Sequence, residues 1–161
     1  MQTVSLNGSW QLDFPGTTCN GSIPGSVYSF LLENKLMDDP YYRDNELQAL
    51  ALMENDFTFI RIFPVDRALA DCPKILLRCE GLDTLCTLLL NGQEIGTADN
   101  MHRIWEYDVT SAICVGDNRL EIRIASPTRF IREEDQKLHV GGSYHAMRGF
   151  PHLRKAHCMF G

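Results

Sequence analysis

The chain has 161 residues, which is enough to bury one hydrophobic core without disulfides or metals. Its formal net charge of −6 and pI near 5.3 argue against nucleic acid or an anionic membrane surface as a partner. No apolar run approaches the roughly 20 residues of a membrane span, and the first residues lack the basic segment and apolar core of a signal peptide.

Short strand patterns separated by turn residues recur along the chain. Pro64 is expected to end the strand that begins at Phe57, and residues 116–118 are expected to form a turn. The clearest local signal is Asn91-Gly92 between two apolar runs, because this pair adopts the positive φ angles of a type I′ hairpin turn. The predicted strands are residues 10–14, 57–63, 74–79, 85–90, 93–96, 104–108 and 120–124.

Helix signals are few. Residues 26–34 resemble a short helix capped by Ser26, and residues 46–53 and 128–137 are further candidates. Many short strands with few helices predict an all-β antiparallel sandwich with one or two short peripheral helices.

Six cysteines occur without a Cys-x-x-Cys pair, at positions 19, 72, 79, 86, 114 and 158. Several lie in apolar, strand-like runs, so we interpret them as free thiols rather than zinc ligands. Free thiols without an export signal predict a reducing, cytoplasmic compartment.

The last eight residues run from a basic pair, Arg154-Lys155, into an alternating apolar stretch that ends at Gly161. Chain ends are usually polar and frayed. We therefore expect residues 1–161 to be a single N-terminal domain cut from a longer protein.

Several segments together resemble the N-terminal domain of the β-mannosidases of glycoside hydrolase family 2. They read LNGSW at 6–10, IPGSV at 23–27, DPYYRDNE at 39–46, EGLDT at 80–84, LNGQ at 90–93, ADNMHR at 98–103 and RKA at 154–156. One departure lies at the start of the predicted strand 57–63. The family tends to carry Asp-Trp-x-Tyr there, and this chain has Asp56-Phe57-Thr58-Phe59. The resemblance implies a galactose-binding-like jelly-roll, which agrees with the strand pattern.

The resemblance also implies a function for the parent protein. Family members release terminal β-linked mannose with retention of configuration, using two catalytic glutamates in a downstream TIM barrel and no cofactor or metal. Retaining glycosidases need two carboxyl groups roughly 5–5.5 Å apart. We expect this domain to be non-catalytic, to pack on the barrel and to border the substrate pocket, next to a loop that in the family follows Gly161.

Two segments are candidates for that pocket border. Arg43, Asn45 and Glu46 lie in the DPYYRDNE segment, and Asn45-Glu46 is not the catalytic Asn-Glu pair of the barrel; a structural turn or helix start is the alternative. Arg154 and Lys155 would hold the following loop, with a solvated basic pair as the alternative.

Aromatic residues and one acid complete the expectations. Trp10 and Trp105 are expected in the core, and Asp83 in a turn. Pro40, Tyr41 and Tyr42, together with Met159-Phe160, are expected to form an exposed patch. Three alternatives remain: an accessory domain of a family 2 β-galactosidase or β-glucuronidase, a free-standing carbohydrate-binding module, and a plain interaction domain.

Overall fold

The computed structural model describes residues 3–139 and 152–155. This part of the chain contains eight strands and four helices. In chain order they are β1 (Gly8–Phe14), β2 (Thr17–Ile23), α1 (Val27–Glu33), α2 (Asn45–Leu52), β3 (Phe57–Val65), α3 (Arg67–Ala70), β4 (Leu76–Glu80), β5 (Cys86–Leu90), β6 (Gln93–Ala98), β7 (Ile104–Asp108), β8 (Gly116–Ile124) and α4 (Pro127–Lys137).

The strands form two antiparallel sheets. Six of them pair in the order β2-β1-β3-β8-β5-β6, and β4 pairs with β7 in a small second sheet. Side chains of β4 and β7, among them Cys79 and Trp105, pack on a buried cluster that includes Cys86 and Leu88 of β5. The predicted all-β sandwich is therefore confirmed. Within residues 3–139 and 152–155, no helix combines the length and apolar character that a membrane span requires.

The main core lies on one face of the larger sheet, beneath α1. Trp10, Leu12 and Phe59 point into it from β1 and β3, and Phe30 of α1 closes it. The Phe30 and Phe59 rings meet edge to face with their centroids 5.2 Å apart, a favoured geometry for aromatic pairs. Trp10 is thus a core residue as predicted, whereas Trp105 is only half-buried.

Two local predictions are confirmed in detail. Asn91 and Gly92 have φ values of 53° and 83° and join β5 to β6 as the hairpin turn. Ser26 caps α1, and its side chain and that of Ser29 exchange hydrogen bonds with each other's backbone N–H groups. All three predicted helices occur, and α3 adds one further turn of helix.

Three strand features differ from the sequence prediction. Pro64 does not stop β3, which pairs with β8 as far as Val65. Among the described residues, β1 pairs with β3 only at residues 58–60. The edge of β3 that faces β1 therefore has no paired strand at Pro64, and the missing N–H of Pro64 is tolerated there. Residues 116–118 begin β8 instead of forming a separate turn. β2 was not predicted, because its sequence, TTCNGSI, is polar and carries no strand pattern.

Candidate functional site

The first candidate group lies in the loop before α2, which is organised around Asp39. The side-chain Oδ1 of Asp39 accepts a hydrogen bond from the Tyr41 N–H at 2.9 Å. Its backbone oxygen accepts from the Tyr42 N–H at 3.1 Å and from Nδ2 of Asn45 at 3.0 Å. Asn45 therefore closes this loop and begins α2, so its amide group has a structural task.

Arg43 and Glu46 are directed differently from Asn45. Arg43 has a φ of 55°, and its guanidinium carbon lies 5.1 Å from the centre of the Tyr42 ring, within the range of a cation–π contact. Glu46 lies in the first turn of α2, where a carboxylate is favoured by the helix dipole. Both side chains belong to exposed residues, so both are accessible to a partner.

An open cleft of about 500 Å³ lies between this helix and the segment that follows α1. Its polar lining includes Lys35, Asp38, Asn45 and Gln48, and Leu52 contributes an apolar wall. Glu46 is not part of the lining. Leu36, Met37 and Ala51 complete the lining, so the cleft combines charged and amide groups with an equally extensive apolar wall.

The second candidate group, Arg154 and Lys155, lies on a separate pair of loops. Lys155 Nζ forms an ion pair with Asp83 Oδ2, and both side chains are 34% exposed. Arg154 forms an isolated parallel bridge with Asn100, and its carbonyl accepts a hydrogen bond from the Met101 N–H at 2.9 Å. Leu153 is buried just before them. We call this set of contacts the C-terminal anchor.

The loop that receives the anchor is itself fixed. Asn100 accepts a hydrogen bond from the His102 N–H through Oδ1 at 2.9 Å and from Trp105 Nε1 through its backbone oxygen at 3.0 Å. The guanidinium carbon of Arg103 lies 4.5 Å from the Trp105 ring centre. Because these contacts tie the loop to β7, the anchor attaches to an ordered part of the small sheet.

Burial protects two thiols, those of Cys79 in β4 and Cys86 in β5, from ionisation. Burial raises the pKa of Cys86 to about 12, with smaller contributions from the charges of Asp83 and Cys79. Burial likewise raises the pKa of Cys79 to about 11. Both are protonated at neutral pH and are therefore poor nucleophiles. Among the described residues, no group of three His, Cys, Asp or Glu side chains is placed to hold a metal ion.

The sequence and structure were compared with known proteins. A family model for the glycosyl hydrolase 2 galactose-binding domain-like family matches residues 10–161. The chain belongs to that family.

Relatives of this family domain include curated β-mannosidases. That of Bos taurus is 31% identical over 141 residues, covering 84% of this chain and 16% of the relative. That of Mus musculus is 30% identical over 176 residues, covering 98% of this chain and 19% of the relative. The chain thus spans less than a fifth of the length of these relatives.

Solved structures of glycoside hydrolases contain a domain with the fold of this chain. The β-D-mannosidase of Dictyoglomus thermophilum superposes with a TM-score of 0.84 at 32% identity, covering 89% of this chain and 18% of that one. A β-glucuronidase of Bifidobacterium dentium superposes with a TM-score of 0.58 at 21% identity, which shows a shared fold alone.

Within this family domain, the two candidate groups are separate. In the described residues, no hydrogen bond or ion pair joins Arg43, Asn45 or Glu46 to Arg154 or Lys155. The sequence predicts a turn at Asp83 and does not predict the Lys155–Asp83 ion pair or the Arg154–Asn100 bridge. Asp83 and Asn100 both lie inside segments that carry the family resemblance, and this position is the one sequence feature that points to them.

Proposed function

We propose that this chain is the non-catalytic N-terminal domain of a retaining β-mannosidase that hydrolyses terminal β-linked mannose residues. The observation that carries the proposal is the likeness to the Dictyoglomus thermophilum β-D-mannosidase, at 32% identity and a TM-score of 0.84. The β-glucuronidase likeness is weaker in both respects, so that alternative is less favoured. Residues 1–161 are proposed as one domain of the parent enzyme.

In this proposal the chemistry belongs to the TIM barrel of the parent enzyme. The barrel supplies the nucleophile and the acid/base carboxyl group that a retaining mechanism needs, without a cofactor. The domain contributes position. Its C-terminal anchor, through Lys155, Asp83 and the Arg154–Asn100 bridge, holds residues 154 and 155 against the loops before β5 and after β6. Correct positioning of groups around a substrate lowers the activation free energy of the reaction by several kcal/mol.

The loop before α2 is proposed as a second border of the substrate pocket. Arg43 and Glu46 are exposed, and Asn45 lines the open cleft beside α2. A guanidinium, an amide and a carboxylate provide the hydrogen-bond donors and acceptors that sugar hydroxyl groups require.

The deciding experiment expresses the full reading frame that contains this chain and compares hydrolysis of aryl β-mannoside, β-galactoside, β-glucuronide and β-glucosaminide. We expect preference for the mannoside, with β-mannose as the first product detected by NMR. Preference for another glycoside, or an α-configured first product, would contradict the proposal.

A free-standing carbohydrate-binding module remains the second candidate, because Tyr41 is 94% exposed and stacks readily on a sugar ring. Titration of this chain with mannose separates the two, since only a binding module should bind with a Kd in the micromolar range.

We also propose a cytoplasmic, reducing location. The proposal is supported by the five described cysteines, Cys19, Cys72, Cys79, Cys86 and Cys114, all of which are free thiols.

A further inference from the structure

Three Asn-Gly pairs occur in the sequence, Asn7-Gly8, Asn20-Gly21 and Asn91-Gly92. Such pairs are prone to deamidation, because glycine has no side chain to obstruct attack by its own backbone nitrogen. That nitrogen loses its proton and attacks Cγ of the asparagine, and Nδ2 leaves as ammonia. Water then opens the succinimide ring to aspartate or isoaspartate, so the reaction consumes no reactant besides water.

The fold binds both N–H groups and the oxygen of the Asn91 side chain. Nδ2 donates to the Ala112 carbonyl at 2.9 Å and to Oδ1 of Asn118 at 2.8 Å. Oδ1 accepts a hydrogen bond from the Arg119 N–H at 2.9 Å. The nitrogen that has to leave is therefore held by two acceptors, and rotation of the side chain to another rotamer breaks these hydrogen bonds.

The backbone of the hairpin turn also opposes the reaction. Asn91 and Gly92 have φ values of 53° and 83°, as a type I′ turn requires. The succinimide ring contains the Cα–C bond of the asparagine and forces its ψ to about −120°, whereas the first central residue of a type I′ turn has a ψ of about 30°. The hairpin therefore has to open before the ring can close.

Asn118 makes this junction specific for an amide at position 91. It is fully buried, and its Nδ2 donates to the carbonyls of Cys114 and Gly116 at 2.7 and 2.9 Å. The amide of Asn118 cannot flip, because its oxygen would then face two carbonyl oxygens. A carboxylate at position 91 has no proton to donate, so its oxygens would face Oδ1 of Asn118 and the Ala112 carbonyl without a hydrogen bond.

The other two Asn-Gly pairs lack such a junction. Asn7 is exposed just before β1, and its side chain forms no hydrogen bond to any residue that the structure describes. Asn20 is exposed in β2, where pairing with Gln11 holds the backbone extended. The fold thus leaves Asn7 reactive, restrains Asn20 through its backbone, and restrains Asn91 through both its backbone and its side chain.

We propose that Asn91-Gly92 is a latent deamidation site, unreactive in the folded domain and released when the β5–β6 hairpin opens. The aspartate or isoaspartate product cannot restore the hydrogen bonds to Ala112 and Asn118, so the modification prevents correct reclosure of the hairpin. Asn7 is the contrasting site, which reacts in the folded domain and leaves the core unaffected.

Site-resolved mass spectrometry in isotopically labelled water tests the proposal without any substitution, because each deamidated residue gains one solvent oxygen. This chain is incubated at mildly alkaline pH with and without concentrated urea. In the folded protein, Asn91 should react at least about tenfold more slowly than Asn7, because only the open hairpin reacts. In the unfolded protein the two rates should agree within about threefold, since a glycine follows both residues.

Urea concentrations below the unfolding transition give a sharper test. A reaction that proceeds through an open state has a rate proportional to the population of that state. The Asn91 rate should therefore increase with urea, whereas the Asn7 rate should stay constant within about twofold. Three results would overturn the proposal: equal rates at Asn91 and Asn7 in the folded protein, slow reaction of Asn91 in the unfolded protein, or an Asn91 rate that does not depend on urea.

A pair of substitutions tests the consequence of the modification. Asn91→Asp reproduces one product and should lower both the urea midpoint and the fraction of chains that refold, because two hydrogen bonds at the junction are lost. Asn7→Asp adds the same charge at an exposed position and is the matched control, so its midpoint should not change. Equal midpoints in the two variants would overturn the predicted effect on reclosure. The rate measurements use the unsubstituted chain and remain decisive even if Asn91→Asp does not fold.

Discussion

Lys155 and Asp83 are 72 residues apart in the sequence and form an ion pair that joins the C-terminal segment to the loop before β5. Each side chain is 34% exposed, so the pair is more shielded from water than the Arg78–Glu80 pair, whose side chains are 52% and 66% exposed. Shielded pairs lose less of their attraction to solvent and salt.

We predict that Lys155 and Asp83 are energetically coupled. A double-mutant cycle with Lys155→Met and Asp83→Asn, measured by urea unfolding, should give a coupling free energy of about 0.5–1 kcal/mol. The same cycle with Arg78→Met and Glu80→Gln is the control and should give a smaller coupling, because this pair is more exposed to water. Equal coupling in the two cycles would argue against a special role for the anchor.

The anchor should also be visible in hydrogen exchange. The Met101 N–H bonds to the Arg154 carbonyl at 2.9 Å, and this contact depends on the position of the C-terminal segment. Lys155→Met should therefore accelerate exchange of the Met101 amide while the Leu88 amide, in the interior strand β5, is unaffected. Acceleration at both amides would indicate global destabilisation.

Gly21→Ala should destabilise the domain strongly. Gly21 pairs with Trp10 in the β1–β2 ladder, and a Cβ atom added there would lie 2.7 Å from the ring of Phe30, which is fully buried. Overpacking of this kind costs about 1–3 kcal/mol of the free energy of unfolding. Asn20→Ala, at the exposed neighbouring position, is the control and should cost far less. Similar losses in both variants would show that the Phe30 contact is not the cause.

Stability should fall at high pH because of Cys86. Its pKa rises from the ordinary value of 9.0 to about 12 on folding, because burial disfavours the thiolate. The unfolded chain therefore releases this proton first, so the stabilisation is complete below pH 9 and is lost progressively between pH 9 and 12.

Urea unfolding tests the pH dependence directly. By about pH 10, Cys86 should account for a loss of about 1 kcal/mol relative to pH 8, and Cys86→Ala should show a flatter dependence despite a lower starting stability. Tyr107 and Cys79, whose pKa values burial raises to about 12 and about 11, are present in both proteins, so the comparison isolates Cys86 together with its smaller effect on the pKa of Tyr107. Parallel curves would remove Cys86 as the cause.

This chain alone should not hydrolyse aryl β-mannosides. The proposed mechanism takes both catalytic carboxyl groups from the barrel, and Glu46, which follows an asparagine, lies on an exposed helix turn. Any trace of activity should be unchanged by Glu46→Gln and should disappear on repurification. Turnover that persists through purification and is abolished by Glu46→Gln would contradict the non-catalytic assignment.

All six cysteines should react with a thiol reagent after unfolding without a reductant. Five of them are described and free, and Cys158 lies outside the described residues. In the native protein, Cys114 should react first because it is exposed, and Cys19 and Cys86 last because they are buried. A total of two or fewer reactive thiols would contradict the proposed reducing compartment.

Features that depend on neighbouring residues can be predicted from the sequence. The Asn91-Gly92 turn follows from the positive φ angles that this pair adopts, and the Ser26 cap follows from the unpaired N–H groups at a helix start. Apolar strands such as β3 and β5 were visible because burial selects β-branched, aromatic and leucine residues. The strand pattern predicts the all-β class, and the family resemblance implies the galactose-binding-like jelly-roll.

Features that depend on partners far away in the sequence follow only from the folded structure. β2 has no strand pattern, and it is a strand because β1 pairs with it along seven residues. Leu47 and Leu50 match a buried helix in sequence, and only the folded structure shows that they are exposed. Asp83 was interpreted as a turn residue, and its role follows from Lys155, because an ion pair between residues 72 positions apart exists only once folding has brought their loops together.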